Sequence, residues 1–96
     1  MKYIITEEHT NEVVARAVIR RMSQLFNTMW EILNSDDIAE EVENYDEEEF
    51  IDYIVELVME EVFPDEFHHI TIYDLYFNKI KEMIGGDIRD WYEDHV

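Results

Sequence analysis

The chain contains 96 residues with a formal net charge of −18 at pH 7, and 47% of its residues are apolar. This length fits one domain with a single modest core, and the aromatic content of 14% is higher than acidic disordered chains carry. With only seven Lys and Arg residues and no cysteine, the composition argues against direct binding of nucleic-acid phosphates and excludes disulfide and thiolate chemistry.

The first third of the chain predicts a short strand followed by helix. Residues 2–5 are a β-favouring run, and Thr6 can cap a helix whose first turn is acidic. Apolar residues then recur with a helical period at Val14, Val18, Met22, Leu25, Phe26, Met29, Trp30 and Leu33. The pattern predicts one long helix or two helices joined near residues 21–23, ending at Asn34 and Ser35.

The acidic middle of the chain predicts two further helices. Asp36 or Asp37 can cap a short helix that runs through Glu43. Asp46 can cap the next helix with Glu49 at its third position, which is the capping-box arrangement. We expect the apolar face of this second helix to consist of Phe50, Ile51, Ile54, Leu57, Val58 and Val62.

The segment after this helix is ambiguous. Pro64 is expected to end the helix. The alternation of residues 69–73 suits a strand paired with residues 2–5, whereas Thr71 with Asp74 suits a capping box that opens a helix. Of the two, we favour the helix.

The final element is predicted as a helix over about residues 71–84, stopped by Gly85 and Gly86. Asp87 then caps a last turn or two. Together the elements predict one mainly α domain over residues 1–96, a small helical bundle that a short N-terminal β-strand can join.

The location of the protein is predicted from two absences. No stretch approaches the roughly 20 apolar residues of a membrane span. The N-terminus turns acidic at Glu7, too early for a signal peptide. We therefore expect a soluble, cytoplasmic protein that does not bind membranes.

The most informative feature is the stretch from Met22 to Asn78, which carries 17 Asp and Glu residues and no Lys or Arg in 57 residues. Four of its acids recur at i, i+4 on one predicted helix and form a row, here called the carboxylate row: Glu48, Asp52, Glu56 and Glu60. Neighbours in the row are about 6 Å apart along the axis. Each like-charge pair costs roughly 0.2–0.5 kcal/mol in an isolated helix, and this helix contains no cation to offset it. The helix dipole favours acids at residues 47–49 but does not explain the last three members of the row.

A row of carboxylates resembles the charge of nucleic acid. Duplex DNA carries about one charge per 1.7 Å of axis, a density that acids on neighbouring helices can approach. A second acidic segment, with Asn44 and Tyr45 beside it for more specific contacts, consists of Asp36, Asp37, Glu40, Glu41 and Glu43. These residues and the carboxylate row indicate a nucleic-acid mimic whose partner is a basic protein surface, the nucleic-acid-binding groove of an enzyme. There are two alternatives. The acidic residues can form a docking side for another basic partner, or a face that only keeps the protein soluble.

The only basic cluster consists of Arg16, Arg20 and Arg21, and Glu12 lies one turn before Arg16 in the favourable orientation for an ion pair. We expect these arginines to pair internally with the acidic stretch. A separate anion site is the alternative.

Metal and catalytic sites are not expected. Glu66 with His69, and Asp65 with His68, have the Glu-x-x-His type of spacing found in di-metal bundles, but no second copy provides the remaining ligands. The chain also lacks a nucleophile motif and a Gly-rich phosphate loop. We therefore predict no cofactor and no enzymatic activity.

The aromatic residues provide the other candidate surface: Trp30, Trp91, Tyr92, Tyr73, Tyr76 and Phe77. They are more apolar surface than a bundle of this size needs to bury. Most are expected in or near the core, and the remainder can form a homodimer or partner interface. A small dimeric regulatory protein is therefore the second hypothesis.

Three short segments resemble small uncharacterised bacteriophage and environmental viral proteins: residues 1–7 (MKYIITE), Ile19-Arg20-Arg21, and Ile80-Lys81 with Gly86-Asp87-Ile88. The resemblance implies expression in a bacterial cytoplasm during infection. It favours an inhibitor of host defence, because anti-restriction and anti-CRISPR proteins are similar in size and charge. It supplies no site residues.

Overall fold

Six α-helices and one 3₁₀ turn make up residues 7–96, the part of the chain that the computed structural model describes, with side chains described from residue 12 onward. The helices are α1 (Glu7–Arg20), α2 (Met22–Leu33), α3 (Asp36–Glu41), α4 (Glu47–Val62), α5 (Pro64–Phe67) and α6 (Ile70–His95), and the 3₁₀ turn Val42–Asn44 precedes α4. Residues 7–96 contain no β-strand, which confirms the mainly α prediction. The strand predicted at residues 2–5 and the cap at Thr6 lie outside the described residues.

The first apolar stretch forms two helices, not one. The break is at Arg21, whose backbone has φ −103° and ψ 13° and donates its N–H to Val18 O at 3.1 Å in a tighter turn. α1 packs mainly on α6, while α2 packs mainly on α4. Because α2 packs on α4 and also on α6, whereas α1 packs mainly on α6, one straight helix could not serve both.

Local caps define the short helix and the start of α4. Ser35, and not Asp36 or Asp37, is the N-cap of α3, and its Oγ accepts from the backbone N–H of Ile38 at 3.4 Å. The cap of α4 is Asp46, as predicted, with Oδ1 accepting from the backbone N–H of Glu49 at 2.9 Å.

In the second half of the chain, α5 was not predicted and α6 is longer than predicted. Pro64 does end α4, but it also begins the four-residue α5. α6 begins at Ile70 without a side-chain cap, so the Thr71 capping box is wrong although the helix is confirmed.

Gly85 and Gly86 do not stop α6, which continues to His95. The helix has 26 residues and a length of about 39 Å. Its buried residues continue on both sides of the glycines, at Ile80, Ile84, Ile88 and Trp91. Packing of this apolar face therefore outweighs the helix-breaking tendency of two glycines. α6 is long but strongly charged. None of the described helices is long and apolar enough to cross a membrane.

The core forms where α4 packs between α2 and α6. All six apolar residues predicted for α4 contribute to it, although Leu57 is only half-buried, and Val55 and Met59 are buried as well. The ring of Phe50 is fully buried and stacks on Trp91 at 5.5 Å between centroids. The Cα atoms span 55 × 23 × 21 Å, and the radius of gyration of 14.7 Å exceeds the roughly 12.5 Å of a compact chain of this length. The molecule is therefore a short rod.

The continuity of α6 makes a prediction for Gly86→Ala. A methyl group at this position would meet nothing within 4 Å, so only the helix propensity changes. We expect the free energy of unfolding to rise by about 1 kcal/mol, measured by urea denaturation. At the buried Gly85 the added Cβ would lie 3.6 Å from Lys81 Cγ and 3.7 Å from Ile51 Cγ2, which is ordinary contact, so Gly85→Ala should also stabilise. A loss of stability in Gly86→Ala would contradict a continuous helix.

Candidate functional site

The carboxylate row winds around α4 and does not run parallel to its axis. Each i, i+4 step advances about 400° on the helix, so successive members rotate by about 40°. Over the four residues this carries the row from the side facing α6 toward the side facing α2, as their contacts show. Its members consequently have different electrostatic surroundings.

The first two members are neutralised by α6. Lys81 Nζ lies 2.7 Å from Asp52 Oδ1 and 3.3 Å from Glu48 Oε2. Arg89 bridges two carboxylates, with Nε 3.2 Å from Glu47 Oε1 and an Nη atom 3.0 Å from Glu48 Oε1. α4 contains no cation of its own. At its N-terminal end, Lys81 and Arg89 of α6 therefore offset the repulsion among its carboxylates.

The contact between Lys81 and Asp52 is partly shielded from water. Asp52 Oδ1 is inaccessible to solvent, and Lys81 Nζ lies against it at 2.7 Å. Asp52, followed by Glu48, holds the pKa of Lys81 above its ordinary value, against the opposing effect of burial. Asp52 thus has a structural role, and it is a poorer candidate for partner contact than its position in the row suggested.

Even with Arg89 present, carboxylates crowd the start of α4. Glu93 of α6 lies beside Glu47, whose carboxylate raises the pKa of Glu93 through hydrogen bonding and like charge. The cations of α6 therefore reduce the repulsion at this end of the rod without removing it.

Glu56, the third member of the row, accepts a hydrogen bond from a tyrosine of α6. The Tyr73 hydroxyl donates to Glu56 Oε1 at 3.0 Å. Burial of the ring, followed by this hydrogen bond and the charge of Glu56, raises the pKa of Tyr73 to about 12. Glu56 remains exposed in this arrangement, with no cation within 4.0 Å among the described side chains.

The second acidic segment is attached to α4 through tyrosines. The Tyr53 hydroxyl donates to Glu41 Oε2 at 3.2 Å, and the Tyr53 ring stacks on Tyr45 at 5.1 Å between centroids. Tyr45 in turn accepts at its backbone carbonyl from the Tyr92 hydroxyl at 2.8 Å. Burial and the charge of Glu41 raise the pKa of Tyr53, which keeps this hydroxyl a donor.

Tyr53 also joins the two acidic segments into one surface. It lies one turn after Glu49 and one turn before Glu56 on α4. The two segments that the Tyr53–Glu41 contact joins are here called the acidic face, which consists of Asp36, Asp37, Glu40, Glu41, Glu43, Glu49, Glu56 and Glu60. All of these are exposed except Glu41, which is half-buried. Glu48 and Asp52 lie at its edge, where α6 neutralises them.

The sequence prediction missed Tyr53, Lys81 and Arg89. Tyr53 carried a usable signal, because its spacing from Glu49 and Glu56 places it on their side of the helix. Lys81 and Arg89 are eight residues apart, about two helical turns, which indicates a shared face. The predicted stop at the two glycines hid that relation.

The expected internal pairing of the arginine cluster is absent from the described part of the chain. Arg16, Arg20 and Arg21 have no carboxylate within 4.0 Å among the side chains from residue 12 onward, Glu12 included. Arg21 instead donates to Gln24 Oε1 at 3.1 Å, and its guanidinium lies 5.9 Å from the Phe63 ring centroid. Positive charge is therefore concentrated at the junction of α1 and α2.

Most of the predicted aromatic surface is in or against the core. Trp91 and Tyr76 are buried, and the rings of Tyr73, Phe77 and Tyr92 pack partly against the core. Trp30 of α2 remains 42% exposed, and Met22 at the start of α2 and Ile19 at the end of α1 are also exposed. An apolar interface would therefore lie on α1 and α2.

The residues with Glu-x-x-His spacing lie near the end of α5. Glu66 and His69 are on either side of the end of α5, and His69 Nδ1 contacts Thr71 Oγ1 at 2.9 Å. Within the described residues, no group of three or more His, Asp or Glu side chains could hold a metal ion.

The pairing of Lys81 predicts a salt-dependent stability. We expect Lys81→Met to lower the free energy of unfolding by about 1 kcal/mol at low ionic strength, because Asp52 then loses its cation and Glu48 retains only Arg89. The loss should be less than half as large in about 1 M salt, where the Debye length is near 3 Å. Lys79→Met is the matched control, since Lys79 contacts only Glu82 at 3.5 Å on its own helix and should cost at most about 0.5 kcal/mol. Equal losses in the two variants, measured by urea denaturation, would contradict the assignment.

The Tyr73 pKa predicts a decline of stability at high pH. Between pH 10.0, the ordinary value, and about 12, the unfolded chain loses a phenol proton that the folded chain retains. The unfolded state is therefore favoured as pH rises, and stability falls across this window. Tyr73→Phe should remove that part of the decline, and a tyrosinate absorbance step near pH 12 should disappear with it. Glu56→Gln should lower the folded pKa only part of the way, because burial is the larger cause. An unchanged pH dependence in Tyr73→Phe would refute the prediction.

Comparison of the chain with family models, with curated proteins and with solved structures finds no match.

Proposed function

We propose that this protein is an acidic inhibitor that acts as a nucleic-acid mimic. It occupies the basic DNA- or RNA-binding groove of a host defence enzyme, as anti-CRISPR and anti-restriction proteins do, in the cytoplasm of an infected bacterium. The acidic face is its contact surface, and inhibition results from competition with nucleic acid without any chemical step. The sequence resemblance to small phage and viral proteins supports this choice of target.

The observation that supports the proposal most is the combination of rod shape and charge. A net charge of −18 on a molecule 55 Å long corresponds to about one net charge per 3 Å of length. One strand of duplex DNA carries one charge per roughly 3.4 Å, and the full duplex carries twice that density. A rod with this charge density, whose Cα atoms span only 23 × 21 Å in cross-section, can enter a groove shaped for nucleic acid.

The distribution of cations supports the same surface. Lys81 and Arg89 neutralise carboxylates at the α6 side of α4, whereas the acidic face has no described cation within 4.0 Å. A face selected only for solubility would gain stability from Lys at alternate positions. The uncompensated carboxylates thus leave favourable interactions for a basic partner to supply.

Charge reversal tests the proposal. The face variant carries Glu40→Lys, Glu43→Lys and Glu60→Lys, three exposed residues of the acidic face. Asp52 is left unchanged, because a lysine there would lie against Lys81. We expect the variant to bind its target at least about 30-fold more weakly, since three favourable charge contacts become repulsive.

The matched control reverses three exposed acids elsewhere, Glu12→Lys, Asp90→Lys and Asp94→Lys. Three reversals of two charges each bring both variants from −18 to −12, so a general electrostatic effect would weaken both equally. The target is first captured from bacterial lysate with the wild-type protein, and displacement of labelled nucleic acid from that target is then measured. Displacement by wild type and control but not by the face variant is the expected result.

Two results would overturn the proposal: a target without a nucleic-acid-binding groove, or equal binding by the face and control variants. The exposed apolar side chains Trp30, Met22 and Ile19 of α1 and α2 favour a dimeric regulatory protein as the second candidate function. A monomer–dimer equilibrium lost in Trp30→Ala, together with equal binding by the two charge variants, would favour that candidate instead.

A further inference from the structure

A groove between α2 and α4 combines apolar walls with two carboxylates. It has a volume of about 430 Å³ and is lined by Ile32, Leu57, Glu60 and Glu61. Ile32 and Leu57 are half-buried and pack against the core, so each presents part of an apolar side chain to the groove. Glu60 and Glu61 are exposed, and neither has a cation within 4.0 Å among the described side chains.

The lining matches the chemistry of a long basic side chain. Arginine and lysine have apolar methylene stems that pack on apolar surface while the charged head stays in water. Here Ile32 and Leu57 can contact the stem, and the two carboxylates can contact the head. A phosphate-like or neutral ligand would leave both carboxylates without a partner.

The neighbouring cleft is less suited to a cation. It is larger, about 620 Å³, and shares Glu61 with the groove. Asp65 and Glu66 line it as well, but so do Arg20 and Arg21. Like charge from these arginines opposes a second cation there. The favourable position for a basic side chain is therefore the groove that Ile32 and Leu57 line, and not the cleft beside it.

From this we propose that the α2–α4 groove binds an arginine or lysine side chain of the basic partner, stem against Ile32 and Leu57 and head between Glu60 and Glu61. This inference rests on the proposed function and deepens it. The acidic face contributes attraction over its whole area, whereas the groove holds one basic side chain in a fixed position.

The experiment uses two small probes, guanidinium and butylguanidinium, and the full-length protein. Binding is followed by NMR of the Ile and Leu methyl groups. We expect butylguanidinium to shift the Ile32 and Leu57 methyl signals selectively and to bind roughly tenfold more tightly than guanidinium, because part of its four-carbon stem leaves water. Glu60→Gln with Glu61→Gln should abolish the shifts, while the control pair Glu40→Gln with Glu43→Gln should retain them. The fold of each variant is checked by its unperturbed methyl spectrum.

Failure of the groove can be told apart from failure of the proposed function. Equal affinity for the two probes, or methyl shifts distributed over the molecule, would overturn the groove, even if the face variant still loses its enzyme target. Selective shifts at Ile32 and Leu57 that Glu60→Gln with Glu61→Gln removes would support it, even if the captured target has no nucleic-acid groove. Shifts that survive this double substitution would also overturn it, because the carboxylates would then make no contact.

Discussion

Repulsion among carboxylates is the constraint on which the rest of the structure depends. A chain with a net charge of −18 folds because α4 buries a wide apolar face between α2 and α6. None of the buried residues in the described part of the chain is charged, and Thr28 is the one polar residue among them. Charge is therefore held at the surface, where water and salt reduce each like-charge pair to tenths of a kcal/mol and the core can outweigh the sum.

The placement of cations then divides the surface into two kinds of region. Carboxylates are densest at the start of α4, and α6 presents Lys81 and Arg89 there. The second half of α4 and the short α3 receive tyrosine hydroxyls instead, from Tyr73 and Tyr53. A hydroxyl donor orients a carboxylate without cancelling its charge, so these regions keep their field and a fixed geometry. This difference is why the acidic face, and not the whole row, is the proposed contact surface.

The acidic face and the α2–α4 groove would contribute differently to recognition. Uncompensated charge spread along a rod attracts any basic groove and loses strength with salt. An apolar slot with two carboxylates binds one side chain in one place and adds shape to that attraction. Glu60 belongs to both, since it is exposed on the acidic face and lines the groove. Glu60 reaches the side of α4 that faces α2 because the row rotates by about 40° at each i, i+4 step.

Sequence alone determined the features that depend on neighbouring residues. The mainly α fold, the Asp46 cap, the end of α4 before Pro64 and the apolar face of α4 follow from periodicity and capping chemistry, which act within a few residues. The cap of α3 was misassigned because Ser35, Asp36 and Asp37 are all good cap residues and only the backbone geometry separates them.

Only the tertiary structure decided how far α6 continues and which carboxylates of α4 its cations contact. Gly85 and Gly86 remain helical because the buried face of α6 continues past them, a packing contribution that local propensity does not contain. The hydrogen-bonded contacts of Lys81 and Arg89 with Glu48 then join residues 33 and 41 positions apart. The sequence thus determined that the protein is helical and acidic, whereas the packing of α6 on α4 decided which carboxylates are neutralised and which remain available to a partner.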